Sequence, residues 1–186
     1  MNIIVRPYGS EGHYCRPDTT WEKESRDLYI PEGIDEVYWA PVAYVRVSKA
    51  GKCIGKKFAD RYYDAFGFGA MLYLGNGKDI AFTSCADHTS LLPHPLLDKS
   101  LLKEGANELE MFRNKEKVFG YTSDESLVTL IEETLCKASG STSLRIGDHL
   151  AVELAQMQLL TNRDQAEVTF EASCSGEQLF AAKVIL

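Results

Sequence analysis

Alternation at period two, repeated in short runs that end in turn residues, constrains this chain more than any other feature. Such spacing turns successive side chains to opposite sides of an extended backbone, so it predicts short strands and a β-rich fold. In Val42–Val47, Val42, Tyr44 and Arg46 alternate with Ala43, Val45 and Val47, and both sets are largely apolar. A strand that is apolar on both sides belongs between two packed layers. Ala70–Leu74 reads as another apolar strand, ending in the turn Gly75-Asn76-Gly77, whose residues tolerate positive φ. Glu108–Phe112 and Val118–Tyr121 predict a hairpin around Asn114-Lys115. Glu167–Ala172 and Leu179–Ile185 predict a second around Cys174-Ser175-Gly176, with Val168, Phe170 and Ala172 on its apolar face.

Two stretches carry helical spacing instead. Phe58, Tyr62 and Phe66 fall at i, i+4 and i+8, which predicts a short helix over Ala59–Phe66 that Gly67 and Gly69 stop. After Ser123, the expected N-cap, Asp124 and Glu125 sit where a helix dipole favours anions. Leu127, Leu130, Ile131 and Leu135 then line one face up to Ser139-Gly140-Ser141, where the helix should end.

The 186 residues, 45% of them hydrophobic, can bury one sizeable core, so a single domain over 1–186 is expected. The net charge of −7 comes from 27 acidic and 20 basic residues, scattered rather than blocked. Nucleic acid is therefore not expected as a partner, because phosphate binding needs a clustered basic face. Five cysteines, Cys15, Cys53, Cys85, Cys136 and Cys174, are odd in number and lie far apart, which suits reduced thiols in a cytoplasm. No apolar run approaches membrane-spanning length and MNIIVRPYGS has no secretory core, so a soluble, cytoplasmic chain without a membrane partner is expected.

The segment Gly51–Gly69, GKCIGKKFADRYYDAFGFG, resembles the short bacterial members of the fumarylacetoacetate hydrolase family. Those proteins carry a Gly-Lys turn and then FA-x-x-YYD-x-x-G-x-G, which Gly51, Lys52, Phe58, Ala59, Tyr62, Tyr63, Asp64, Gly67 and Gly69 fit. Upstream, RPDTT at Arg16–Thr20 is similar to the family's KPDSA, and Ile30-Pro31 leads into the strand at Val42–Val47. Downstream, Asn114-Lys115-Glu116, the helix after Ser123 and Leu144-Arg145-Ile146-Gly147-Asp148 are similar to its NGE turn, late helix and TLKxGD turn. The resemblance implies an α+β, β-rich fold: mostly antiparallel sheets in a rolled or barrel-like core, one long helix and one short helix. It also implies self-association as a homodimer, for which Trp21 and Trp39 would offer an exposed apolar surface.

The family's chemistry, cleavage or decarboxylation next to a ketone, uses Mg²⁺ or Ca²⁺ held by carboxylates. A hard ion of this kind takes oxygen ligands, and aliphatic side chains cannot replace them. The resemblance places Ala40 and Val42 at the family's Glu-x-Glu pair and Met71 at its third carboxylate. The arginine and aspartate that follow map onto Gly75 and Asn76. The catalytic lysine maps onto Ser84 within Thr83–Thr89, and Val152-Glu153-Leu154-Ala155 stands where the TGTP loop would be. Neither a bound metal nor another cofactor is expected, and the family's reaction should be lost.

Other residues offer less. Cys85, His88 and His94 have the spacing C-x2-H-x5-H with Asp87 among them, an unusual pattern for zinc in a loop interrupted by Pro93 and Pro95. His13 reads as an exposed loop histidine. Asp60, Arg61 and Asp64 read as a wet face, Tyr62 and Tyr63 as packing, and Glu32, Asp35 and Glu36 as a solvated loop. No G-x-S-x-G nucleophile elbow is present.

Two classes of function remain. One is a non-catalytic binding or structural protein, whose pocket over Ala40, Val42 and Met71 is filled or takes a small apolar ligand. The other is a divergent hydrolase of a small keto acid with a site rebuilt around Asp87, His88 and Glu153. A filled cavity favours the first; a cavity with converging polar groups and a perturbed ionisable residue favours the second.

Overall fold

A computed structural model describes residues 1–24, 26–75 and 80–186. The strands run β1 (Asn2–Arg6), β2 (Tyr14–Pro17), β3 (Trp21–Glu22), β4 (Leu28–Tyr29), β5 (Glu36–Val47), β6 (Tyr63–Leu74) and β7 (Ser90–Leu91). They continue as β8 (Leu97–Asp98), β9 (Glu108–Arg113), β10 (Glu116–Thr122), β11 (His149–Glu153), β12 (Gln158–Asn162), β13 (Glu167–Cys174) and β14 (Glu177–Ile185). Between them lie the helices α1 (Ile80–Thr83), α2 (Lys99–Glu104) and α3 (Glu125–Ser141). Among the described residues no helix is long and apolar enough to cross a membrane.

One sheet runs β2-β1-β11-β5-β6-β7-β3, with β12 also beside β5 and β8 beside β6, and rolls into a nearly closed barrel. The other runs β10-β9-β13-β14-β4. The frame of the barrel is β5 and β6, antiparallel in register from Val37↔Leu74 to Val47↔Tyr63. As expected from Val42–Val47, β5 is apolar on both faces. Val37, Trp39, Ala43, Val45 and Val47 join the main core with the second sheet and α3, whereas Ala40, Val42 and Tyr44 turn into the barrel. Pro41 lacks a donor, and it lies where β11 gives way to β12 as the partner of β5. Its carbonyl still accepts from Leu154 N at 2.8 Å.

The barrel's edges are joined largely by side chains. Arg16 on β2 is fully buried, with Nη1 donating to Thr89 O (3.2 Å) and Thr89 Oγ1 (3.1 Å) and Nη2 donating to Leu72 O (3.1 Å). Thr20 Oγ1 shares a 2.9 Å bond with Ser90 Oγ. The RPDTT segment is thus the seam.

Both expected hairpins form. Asn114 and Lys115 have φ of 49° and 69°, and Ser175 and Gly176 have 50° and 87°. Left-handed pairs of this kind match the twist of the flanking strands. Val168, Phe170, Ala172 and Cys174 alternate into the core.

Three expectations are corrected. Ala59–Phe66 is not a helix: a 3₁₀ turn covers Lys56–Arg61, and Tyr63 already begins β6, in which Phe66 is a strand residue. Gly67 and Gly69 stop nothing; they lie inside β6. A Cβ on Gly69 would stand 2.1 Å from Leu91 O, and one on Gly67 would stand 2.9 Å from both Leu96 Cδ2 and the Tyr44 ring. Finally, the N-cap of α3 is Asp124, whose carboxylate accepts from Ser126 N at 2.9 Å, while the Ser123 hydroxyl accepts from Asn107 N at 3.1 Å. The turn at Gly75 has the expected positive φ, 77°. Asn76 and Gly77 lie outside the described residues.

Gly69→Ala should lower unfolding stability by about 2 kcal/mol or more, because β7 must move away from β6. Gly140→Ala, in α3 with open space around its Cβ, should raise stability by about 0.5–1 kcal/mol. Denaturant titration of both variants checks the pair.

Candidate functional site

The strand pairing brings the three proposed metal positions together. Ala40 on β5 pairs directly with Met71 on β6, and Val42 follows on the same face. All three are fully buried and pack with Ile3, Val5, Tyr44, Tyr73, Leu92 and Ala151. The pocket expected over them holds apolar side chains and no oxygen donor from these positions. Among the described residues no three His, Cys, Asp or Glu side chains stand together as a metal ion would require. The residues at these positions do not fit Mg²⁺ or Ca²⁺.

Polar groups gather elsewhere in the barrel. Arg16 donates to the Tyr14 hydroxyl from Nε (3.4 Å) and Nη2 (3.3 Å), and the Tyr14 and Tyr73 hydroxyls are 2.7 Å apart. Tyr73 donates to Glu153 Oε1, so Tyr14 must donate to Tyr73 and the chain runs in one direction. Glu153 Oε2 accepts from Tyr8 N at 2.9 Å. Burial pushes the Glu153 carboxyl and the Tyr73 hydroxyl up from their ordinary values. Glu153 also opens onto a cleft of about 350 Å³ with Arg6, Tyr8, Tyr121 and Leu130 in its walls. Of this network only Glu153 stood out as a candidate in the sequence. Arg16 carried a signal within RPDTT, but nothing local joined it to Tyr14 or Tyr73.

His149, also on β11, is buried among rings: Trp21 at 5.0 Å, Tyr44 at 5.5 Å and His94 at 6.2 Å between centroids. Among the described residues, neither of its ring nitrogens has a hydrogen-bond partner. Burial, then the charges of His94 and Arg46, hold its imidazole down to about 4. Sequence reasoning passed over this residue, because it lies just beyond the GD turn with no motif around it.

The Cys85–His94 stretch does not assemble into one site. His94 turns toward Trp21 and His149. Cys85, Asp87 and His88 line a different cleft, in which His88 Nδ1 lies 3.0 Å from Glu22 Oε2. Ser84, at the lysine position, donates to Ala81 O (3.1 Å). His13 Nε2 shares a 3.1 Å bond with Ser141 Oγ, on α3. Asp60 pairs with Lys103 (2.7 Å) and Asp64 with Arg46 (2.8 Å), as the wet face expected of them. The tryptophans form no exposed pair: Trp39 is core, 5.0 Å from Phe170, and Trp21 Nε1 donates to Leu92 O at 2.9 Å.

No family model and no curated protein matches the sequence. Solved structures do match. One assigned to the fumarylacetoacetate hydrolase family, from Yersinia pestis CO92, superposes with a TM-score of 0.79 at 14% identity, covering 99% of this chain and 91% of its own. The chain has the fumarylacetoacetate hydrolase-like fold. Fumarylpyruvate hydrolase from Pseudomonas aeruginosa, in complex with Mn²⁺ and pyruvate, superposes at 0.74 with 12% identity over 100% of this chain and 96% of its own. 2-Hydroxyhepta-2,4-diene-1,7-dioate isomerase from Mycobacterium marinum does so at 0.78 with 13% identity over 99% and 73%. The fold is therefore shared with hydrolases and isomerases.

His149 predicts acid sensitivity. Its unfolded value is 6.5 and its folded value about 4, so between these the unfolded chain binds a proton that the folded chain refuses. Stability from this group is complete above the unfolded value and falls as pH drops toward about 4, with a slope approaching ~1.4 kcal/mol per pH unit. Glu153, raised by burial, works in the opposite direction as pH rises. Denaturation midpoints of wild type and His149→Phe across this range should diverge, with the variant losing less stability in acid.

Proposed function

We propose that this chain retains the fumarylacetoacetate hydrolase-like scaffold without the metal-dependent C–C bond hydrolysis or decarboxylation of that family, and acts as a non-catalytic binding or structural protein. One observation carries this reading: Ala40, Val42 and Met71 converge on one face, fully buried in apolar packing. A divalent ion stabilises the negative charge that develops on a ketone-derived leaving group, a contribution of several kcal/mol. Three side chains without oxygen forgo it together. The interior that would take an apolar ligand is filled by the protein's own side chains.

Calorimetry on metal-stripped protein, with Mg²⁺ or Mn²⁺ and with or without oxalate, should give no saturable heat. Chelator or added Mg²⁺ should leave Tm unchanged, and acylpyruvate turnover should stay at background. Heat saturating near one ion per chain, or Mg²⁺-stimulated turnover, would overturn the proposal.

A second reading rests on Glu153, whose raised carboxyl opens to a cleft beside Arg6. Burial favours the protonated form of this carboxyl, the form that a general acid acting on a small keto acid requires. Turnover that persists in chelator and disappears in Glu153→Gln would favour this divergent hydrolase over the non-catalytic protein.

A further inference from the structure

The 3₁₀ turn at Lys56–Arg61 and the loop before it carry a charge opposite to that of the whole chain. Residues 49–61 hold five basic side chains, Lys49, Lys52, Lys56, Lys57 and Arg61, against one acidic, Asp60, in a chain whose net charge is −7. Folding brings a further turn to them. Gly51 N donates to Leu144 O at 3.1 Å, Leu144 N returns a bond to Gly51 O at 2.9 Å, and Gly147 N donates to Val47 O at 2.8 Å. These bonds set Arg145 and Ile146 beside the lysine loop. The end of the 3₁₀ turn closes on the same place, with Ser48 N donating to Tyr62 O at 2.9 Å and Lys49 Nζ 5.2 Å from the centre of the Tyr62 ring.

The carboxylates near these turns are already engaged: Glu133 pairs with Lys56 at 3.0 Å, Asp60 with Lys103 at 2.7 Å and Asp64 with Arg46 at 2.8 Å. Among the described residues Lys49, Lys52, Lys57, Arg61 and Arg145 form no ion pair, and all five are exposed. Two apolar side chains stand among them, Phe58 at 40% exposure and Ile146 at 72%. Lys57 Nζ and the Arg61 guanidinium carbon lie 4.8 Å and 5.3 Å from the centre of the Phe58 ring. A nucleobase needs a free aromatic face on which to stack, and here cations already stand over Phe58 and Tyr62. Cations around exposed apolar side chains instead match a bilayer surface, where the charges meet anionic headgroups and the apolar groups reach the acyl boundary.

We propose that this face docks on an anionic phospholipid bilayer, with Lys49, Lys52, Lys57, Arg61 and Arg145 on the headgroups and Phe58 and Ile146 at the acyl boundary. The absence of a membrane-spanning run does not bear on it, because surface docking uses side chains from turns. The rest of the chain is net acidic and is repelled by the same surface, so docking has one orientation and weakens as salt screens the charges. This goes beyond the non-catalytic reading of the barrel interior, and it stands or falls on different residues.

Co-sedimentation with vesicles tests it. At low salt the wild type should partition onto phosphatidylcholine vesicles that contain one-third phosphatidylserine, leave them at high salt, and ignore phosphatidylcholine alone. A basic residue near an anionic surface multiplies the partition about fivefold, so Lys52→Gln, Lys57→Gln and Arg61→Gln together should lower it about a hundredfold. Lys115→Gln, Lys117→Gln and Lys183→Gln together make the same change of net charge on the second sheet, and should leave the partition within about twofold of wild type, because those positions face away from the bilayer. Ile146→Ser should lower the partition severalfold and keep its salt dependence, since every charge remains. Wild type that stays in solution with the phosphatidylserine vesicles at low salt overturns the proposal, even if a variant fails to fold. An equal loss in the two triple variants overturns it as well, and so does binding of a single-stranded oligonucleotide without binding of vesicles.

Discussion

The burial of Arg16 is the constraint on which the rest of the barrel depends. A guanidinium removed from water must have its donors met, and unpairing a buried charge costs about 3–5 kcal/mol. Here those donors reach the carbonyls of Leu72 and Thr89 and the Tyr14 hydroxyl, and the guanidinium carbon lies 4.8 Å from the centre of the Tyr73 ring. β2 is thereby tied to the far edge of the sheet. The barrel closes, and its interior side chains are forced into contact.

That closure divides the interior by chemistry. Ala40, Val42 and Met71 fill one region with apolar side chains. The polar chain from Arg16 through Tyr14 and Tyr73 to Glu153 runs to a cleft at the edge. His149 sits among aromatic rings, and among the described residues neither of its ring nitrogens finds a hydrogen-bond partner. A carboxylate is therefore present in the barrel, but it is satisfied by phenol and amide donors rather than arranged in a set of ligands.

Much of the fold was legible in the residues. The two-faced alternation of Val42–Val47, the hairpin turns and the apolar face of α3 all follow from local periodicity and turn chemistry. The helix expected over Ala59–Phe66 failed because a spacing of four fits two periods. It is about one turn of helix, but it is also two repeats of a strand, and Phe66, Phe68, Ala70, Leu72 and Leu74 continue the strand period into the core. Gly67 and Gly69 read as breakers because their real reason, the close approach of Tyr44, Leu96 and Leu91, lies elsewhere in the chain. Trp39 read as exposed for the same reason: the rings that cover it, Phe119 and Phe170, come from the second sheet and lie far along the chain.

The sequence alone determined that oxygen donors are missing at positions 40, 42 and 71, and that the central strands must be covered on both sides. These are properties of residue type and local spacing. Only the tertiary structure decided that Arg16, Tyr14, Tyr73 and Glu153 would form one chain, that His149 would be buried with no hydrogen-bond partner among the described residues, and that Glu22 would reach His88. Periodicity specifies which face a side chain takes, not which strand lies beside it, and each of these contacts depends on strand order and barrel closure between distant segments.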